Sequence, residues 1–100
     1  MNKLTGKQKS YLRGQAHSLN PVVHIGKNGL TDSIFDQIDE ALRTHELIKV
    51  KYVDWKDEKK ELSLKIAQKL SCEICGSIGH IYIFFRQNSD PEKRKVTVKV

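Results

Sequence analysis

The sequence predicts an α/β fold, a two-layer sandwich in which helices pack on a mixed sheet. Apolar residues follow helical spacing and strand spacing in turn, in the order α-β-α-β-α-β-β. The strand–helix–strand succession favours right-handed crossovers onto one sheet. With 100 residues, 38% hydrophobic and 30% charged, the chain has the size and composition of one globular domain.

The first predicted helix covers residues 3–17, where the apolar side chains fall near one helix face. Those side chains are Leu4, Tyr11, Leu12 and Ala16. Asn20-Pro21 ends the helix, and the apolar run Val22–Ile25 is typical of a buried strand. His24, inside this run, is predicted to be a core residue and not a ligand. The next four residues, 26–29, predict a turn.

The second predicted helix has the clearest amphipathic pattern of the chain. Thr31 is the expected N-cap, and Asp32 in the first turn complements the helix dipole. The apolar positions that recur at helical spacing are Ile34, Phe35, Ile38, Ala41 and Leu42. Residues 46–53 then alternate, which predicts a strand that shows Lys49 and Lys51 on one face.

The third predicted helix starts after Asp57 and runs to about residue 70. Its apolar stripe consists of Leu62, Ile66, Ala67 and Leu70. Strands over 73–78 and 80–86 follow, with Gly79 as their tight turn. We assign residues 1–87 to one domain and 88–100 to a basic C-terminal tail. Within the tail, residues 96–100 alternate and form either a short edge strand or a loose end.

Charge is distributed unevenly along the chain. No acidic residue precedes Asp32, and the first 31 positions carry +5 of the net charge of +6. The basic residues there are Lys3, Lys7, Lys9, Arg13 and Lys27. A focused positive field attracts polyanions, so nucleic acid is the first partner to consider. A membrane surface is disfavoured, because no segment joins a long apolar face to a cationic one.

The segment Gly26-Lys27-Asn28-Gly29 lies where such a field would act on phosphate. Gly26 and Gly29 permit a positive φ and the close approach of another backbone. Lys27 adds a charge, Asn28 adds a donor and an acceptor, and a helix N-terminus follows. Together they could clamp a sugar–phosphate backbone as Gly-x-x-Gly loops do in KH domains. The alternative is an ordinary tight turn on a basic chain.

Other classes of function have weaker support. Neither a nucleophile–base set nor paired carboxylates occur at recognisable spacing, so we expect no enzyme, no cofactor and no small-molecule substrate. The lone pair Cys72 and Cys75 falls short of the four ligands of a structural zinc site. Residues three apart on a strand point to opposite faces, about 10 Å apart, which favours structural thiols over a disulfide. With no apolar stretch of ~20 residues and no secretory signal, we expect a cytoplasmic protein.

Over about residues 3–86 the chain resembles the stand-alone, bacterial YhbY-type form of the CRM domain (chloroplast RNA splicing and ribosome maturation), and the tail fits more loosely. The resemblance is carried by Leu4-Thr5-Gly6-Lys7-Gln8-Lys9, Leu12-Arg13-Gly14-Gln15-Ala16-His17, the run from Pro21 to Thr31, Ala41-Leu42 and Glu46-Leu47-Ile48-Lys49-Val50-Lys51. It implies a four-stranded mixed sheet like that of the C-terminal domain of bacterial translation initiation factor three. It further implies RNA binding through residues 26–29 and association with precursors of the large ribosomal subunit.

Ten residues are candidates for RNA contact. Lys27 and Asn28, between Gly26 and Gly29, are the strongest, because loop-tip donors have little structural reason to be there. Further candidates are Arg13 and His17, as a phosphate track beside the loop, Lys7 and Lys9, as diffuse attraction, and Lys49 and Lys51, if their sheet face is open. A solvated-face role for Arg13 and a helix-capping role for His17 are the alternatives.

The remaining expectations concern aromatic residues and partners. Tyr82, Phe84 and Phe85 are predicted to pack in the core, whereas Trp55 lies in a charged loop without an assigned role. We expect a monomer whose partner is ribosomal RNA. The rival hypotheses are a basic protein-interaction module, an RNA-binding regulator not tied to the ribosome, and a zinc-dependent regulator that uses Cys72 and Cys75.

Overall fold

Three α-helices and four strands follow one another in the predicted order within residues 3–98, which the computed structural model describes. The helices are α1 (Gly6–Ala16), α2 (Asp32–His45) and α3 (Lys59–Leu70). The strands are β1 (Val23–Ile25), β2 (Leu47–Tyr52), β3 (Glu73–Ile78) and β4 (Ile81–Phe85). Short 3₁₀ turns cover Lys56–Glu58 and Pro91–Lys93.

The four strands form one mixed sheet in the order β1-β2-β4-β3. β1 runs parallel to β2, and the other two pairs are antiparallel. α2 makes the crossover that a parallel pair requires. The predicted α/β class with a four-stranded mixed sheet is therefore confirmed.

The helices lie on both faces of this sheet. α2 and α3 pack on one face against Ile48, Val50 and Tyr52, in the main core. The alternate residues of β2 point the other way. There Leu12 and Ala16 of α1 pack on Leu47, Ile83, Phe85 and Cys75 in a second cluster, which we call the α1 cluster. The sequence predicts two layers. α1 forms a further layer because β4 is apolar on both faces and needs a second cover.

Capping residues set the helix starts. Thr5 caps α1 in a capping box, in which its hydroxyl accepts from Gln8 N–H and the Gln8 side chain accepts from Thr5 N–H. α1 thus begins at Gly6, three residues later than predicted. Thr31 caps α2 as predicted, since its Oγ1 accepts a hydrogen bond from Ile34 N–H at 3.1 Å. α3 begins at Lys59, directly after the 3₁₀ turn.

The prediction that His24 lies in the core is wrong. Val23 and Ile25 are buried in the main core, whereas His24 is exposed. β1 alternates like any strand, so the middle residue of three points away from α2. The apolar run around His24 therefore forms a strand with only one buried face, although its sequence is typical of a fully buried strand.

The C-terminal tail is attached to the domain by one buried carboxylate. Glu46 is fully buried with φ 64°, and its carboxylate accepts from the backbone N–H groups of Asn88 (2.5 Å), Lys95 (2.6 Å) and Val96 (2.9 Å). Val96 and Val98 pack against the α1 cluster. Residues 94–98 contain no strand, and the remainder of the edge strand considered for 96–100 lies outside the described residues.

Candidate nucleic-acid interface

The loop of residues 26–29 is a closed turn at the carboxyl end of β1. Gly29 N–H donates to the Gly26 carbonyl at 3.0 Å, which leaves Lys27 and Asn28 exposed at the tip. Of the two glycines, Gly29 has the positive φ, 69°. A Cβ built on Gly26 would meet no atom of the described residues within 4 Å. The tip thus offers an ammonium and an amide beside open space.

Trp55 supports this loop from below. Its indole Nε1 donates to the Lys27 carbonyl at 3.0 Å, and a Cβ on Gly29 would lie 3.2 Å from the same nitrogen. Trp55 itself has a left-handed backbone, φ 56° and ψ 36°, and its N–H donates to Asp54 Oδ1. Glycine is therefore favoured at position 29 by its φ, and the indole beside it leaves little room for a Cβ.

Sequence reasoning assigned no role to Trp55, although one signal could have found it. β1 and β2 are parallel, so the residues that follow the two strands lie side by side. The N–H groups of Val53 and Asp54 both donate to the Ile25 carbonyl, at 3.0 and 3.1 Å. An isolated tryptophan just after β2 is thereby placed under the loop that follows β1.

A cationic group of side chains surrounds the same end of the sheet. Lys51 pairs in register with His24, and both are exposed. Lys59 Nζ donates to the Gly79 carbonyl at 2.8 Å and lies 3.1 Å from His80 Nδ1. The pKa of the exposed His80 is lowered, first by desolvation and then by Lys59, Lys56 and Lys51, against an opposing effect of Asp57. Lys59, Lys56 and Lys51 thus act together at this end of the sheet, with Asp57 opposing them.

Lys49 does not belong to this group, which corrects its assignment to the RNA-contact residues. It is buried, and its ammonium donates to the carbonyls of His17 (3.3 Å) and Leu19 (3.0 Å). Lys49 and Lys51 do share a sheet face, as predicted, but the connection after α1 covers only Lys49. His17 occupies the C-cap position of α1, where its backbone N–H donates to the Gly14 carbonyl.

Arg13 binds at another edge of the sheet, on β3. Its Nη1 donates to the Cys75 carbonyl at 2.6 Å, and its Cδ would lie 2.4 Å from a Cβ on Gly76. β3 and β1 are opposite edges, roughly 14 Å apart at usual strand spacing. Arg13 therefore docks α1 on β3 and does not flank the loop. Lys7, near the start of α1, is exposed, and Lys9 is half-buried beside Cys75.

The two thiols lie on opposite sides of the sheet, as predicted. Cys72 belongs to the main core and Cys75 to the α1 cluster. Burial raises the pKa of each thiol to about 12. Within residues 3–98, no group of three or more His, Cys, Asp or Glu side chains is arranged to hold a metal ion. No helix in that range is long and apolar enough to cross a membrane.

Comparisons with known proteins agree on one family. Residues 4–86 match the family described as CRS1 / YhbY (CRM) domain. A Haemophilus influenzae protein named RNA-binding protein is 42% identical over 91 residues, which cover 90% of this chain and 92% of that protein. Probable RNA-binding protein YqeI of Bacillus subtilis is 33% identical over 88 residues, 87% of this chain and 92% of its own.

A solved structure shows the same fold. The solution structure of SAV1595 from Staphylococcus aureus matches with a TM-score of 0.78 and 35% identity, over 95% of this chain and 100% of that chain. The sequence match thus spans nearly the whole domain, and the structural match covers nearly the whole chain. This chain belongs to the CRS1 / YhbY (CRM) domain family.

Proposed function

We propose that this protein binds RNA, and that it contacts the sugar–phosphate backbone of ribosomal RNA in precursors of the large ribosomal subunit to assist their assembly. The observation that carries the proposal is the loop of residues 26–29, which presents Lys27 and Asn28 on a backbone held by Trp55. The names of the relatives support RNA as the partner. The proposed role is non-enzymatic, cytoplasmic and performed by a monomer.

Electrostatics supports phosphate as the group that the loop contacts. Lys27, Lys51, Lys56 and Lys59 lie around the same end of the sheet, so several cations could act on one backbone segment. Each neutralised phosphate releases counterions, which makes the affinity depend on salt. Contacts of this kind position an RNA without reading its sequence.

Fixation of the loop favours the same proposal. A preorganised loop loses little conformational entropy when a ligand binds, so more of its contact energy appears as affinity. The Trp55 hydrogen bond and the Gly26–Gly29 turn hold the tip, while the exposed Lys27 side chain stays outside this network. Asp32 in the first turn of α2 opposes phosphate there, which leaves the loop tip as the favoured contact.

The test is migration of the tagged protein on a sucrose gradient of cell lysate, beside Lys27→Glu and a control variant, Lys65→Glu. Lys65 is exposed on α3, outside the loop and the open end of the sheet strands, and receives the same change of charge. We expect cosedimentation with large-subunit precursors for the wild type and the control, and loss for Lys27→Glu. Migration of the wild type at the top of the gradient at low salt would refute the ribosomal assignment.

A further inference from the structure

One row of side chains crosses the whole sheet at the end next to the loop. The strand register aligns Ile78 of β3 with Ile81 of β4, Ile81 with Lys51 of β2, and Lys51 with His24 of β1. We call these four residues the open row. They lie on the face that α1 covers elsewhere, because they alternate with the residues of the main core.

α1 stops short of the open row. Its buried residues Leu12 and Ala16 contact the cluster around Leu47, Ile83 and Phe85, towards the other end of the strands. The Arg13 side chain lies over Gly76, two positions before Ile78, and marks the limit of the helix cover. A sheet face that is closed at one end is therefore left uncovered at the end that carries the loop.

The open row is exposed to solvent and chemically divided. Ile78 is 61% exposed, the largest fraction among the exposed large hydrophobic residues of the described chain, and Ile81 is half-buried. Lys51 and His24 are both exposed at the other half of the row. The half nearer the loop thus carries the Lys51 ammonium and the His24 imidazole, and the half away from it is apolar.

This division fits an unpaired nucleic-acid strand. Phosphates need cations, whereas the faces of bases pack on apolar side chains, and a four-stranded sheet accommodates roughly two or three bases. A duplex hides its base faces in stacks, so it could use Lys51 and His24 but not the isoleucines. The neighbouring Lys56 and Lys59 add positive charge to that of Lys51, with Asp57 as the opposing charge on His80, which makes an acidic ligand the better complement.

The row is also continuous with the proposed phosphate-binding loop. His24, on β1, is two positions before Gly26, the first residue of the loop. At the other side of β2, Tyr52 N–H donates to the His80 carbonyl at 2.8 Å, which joins the β3–β4 turn to the end of β2. We propose that the open row binds unpaired nucleotides of the RNA whose backbone the loop holds. This inference rests on the proposed function and narrows its ligand to RNA with unpaired bases.

The test compares Ile78→Ser and Ile78→Phe, with Leu64→Ser as the control, by fluorescence anisotropy on labelled RNA. Leu64 is 56% exposed on α3, across the sheet. The probes are an oligouridine of about 12 nucleotides and a blunt duplex of the same length. We expect Ile78→Ser to bind the oligouridine about tenfold more weakly and Ile78→Phe to bind it more tightly, because an aromatic ring stacks on bases. Duplex affinity and the control should not change.

Unchanged oligouridine affinity in both Ile78 variants would overturn the inference, as would an equal shift on the duplex. If Ile78→Ser fails to fold by circular dichroism, the tighter binding expected of Ile78→Phe decides alone. A wild type that binds the duplex but not the oligouridine would refute the open row while leaving the loop proposal intact. A wild type that binds neither RNA would refute the proposed function itself.

Discussion

The indole of Trp55 donates its hydrogen bond to the Lys27 carbonyl at 3.0 Å, across 28 positions of the chain. The bond joins the segment after β2 to the loop after β1, so the orientation of the Lys27 backbone depends on a residue outside the Gly-x-x-Gly motif. The Lys27 side chain remains free to act on a ligand.

Replacement of Trp55 by Phe should weaken RNA binding without removing any charge. Phe keeps an apolar ring beneath Gly29 but has no N–H for the Lys27 carbonyl. We expect about fivefold weaker binding and a loss of about 1 kcal/mol in the free energy of unfolding, the usual net value of one hydrogen bond. Filter binding and urea unfolding measure the two effects. Unchanged affinity would show that the loop needs no support from the indole.

Alanine substitutions at the two loop glycines should differ in their effect on the stability of the fold. At Gly29, Ala would adopt an unfavourable φ of 69° with its Cβ 3.2 Å from the indole nitrogen, so Gly29→Ala should destabilise the fold by about 1–2 kcal/mol. At Gly26 a Cβ meets open space, so Gly26→Ala should be neutral or slightly stabilising. Thermal unfolding of both variants tests this, and equal melting temperatures would contradict the strain argument.

Removal of the Glu46 carboxylate should release the tail. Glu46→Ala leaves three backbone N–H groups without their acceptor and should cost about 3 kcal/mol in the free energy of unfolding. Glu46→Gly loses the same acceptor but relieves the φ of 64°, so it should cost less. Fast amide hydrogen exchange at Lys95 and Val96 in both variants is the specific readout. Slow exchange there would show that other contacts hold the tail.

Lys49→Met should lower stability, whereas Lys51→Met should weaken RNA binding, although the two lysines share one strand face. Lys49→Met deprives two carbonyls of a buried ammonium donor and should destabilise the fold by about 1–2 kcal/mol. Lys51→Met should leave stability within about 0.5 kcal/mol. It should also reduce the slope of log affinity against log salt concentration by about one, the value of one phosphate contact. An RNA defect in a folded Lys49→Met protein, with none in Lys51→Met, would reverse the assignment.

Stability should fall as the pH rises from 9 towards 12. Burial raises the pKa of Cys72 and Cys75 from 9.0 to about 12 and that of Tyr52 from 10.0 to about 12. Above pH 9 the unfolded chain loses thiol protons that the folded chain retains, so each thiol lowers the free energy of unfolding by up to about 1.4 kcal/mol per pH unit in that window. Urea unfolding across this range measures the slope. Cys72→Ala/Cys75→Ala should flatten it, and an equally steep slope in that variant would exclude the thiols as its cause.

Local features of the sequence determined the elements and the position of the candidate site. The helical spacing of Ile34, Ile38 and Leu42 and the cap at Thr31 specified α2 because both act within a few residues along the chain. The same holds for the loop, which needs a strand before it and a helix after it. Family membership followed from motifs spread along most of the chain.

Tertiary structure alone decided which side chains are free to bind. Lys49 and Lys51 have the same strand periodicity, and only the course of the chain after α1 distinguishes the buried ammonium from the exposed one. Likewise, strand order placed Arg13 at β3, far from the loop, and the parallel pairing of β1 with β2 brought Trp55 beneath Lys27. These outcomes depend on contacts between residues 28 to 62 positions apart, which periodicity along the chain does not encode.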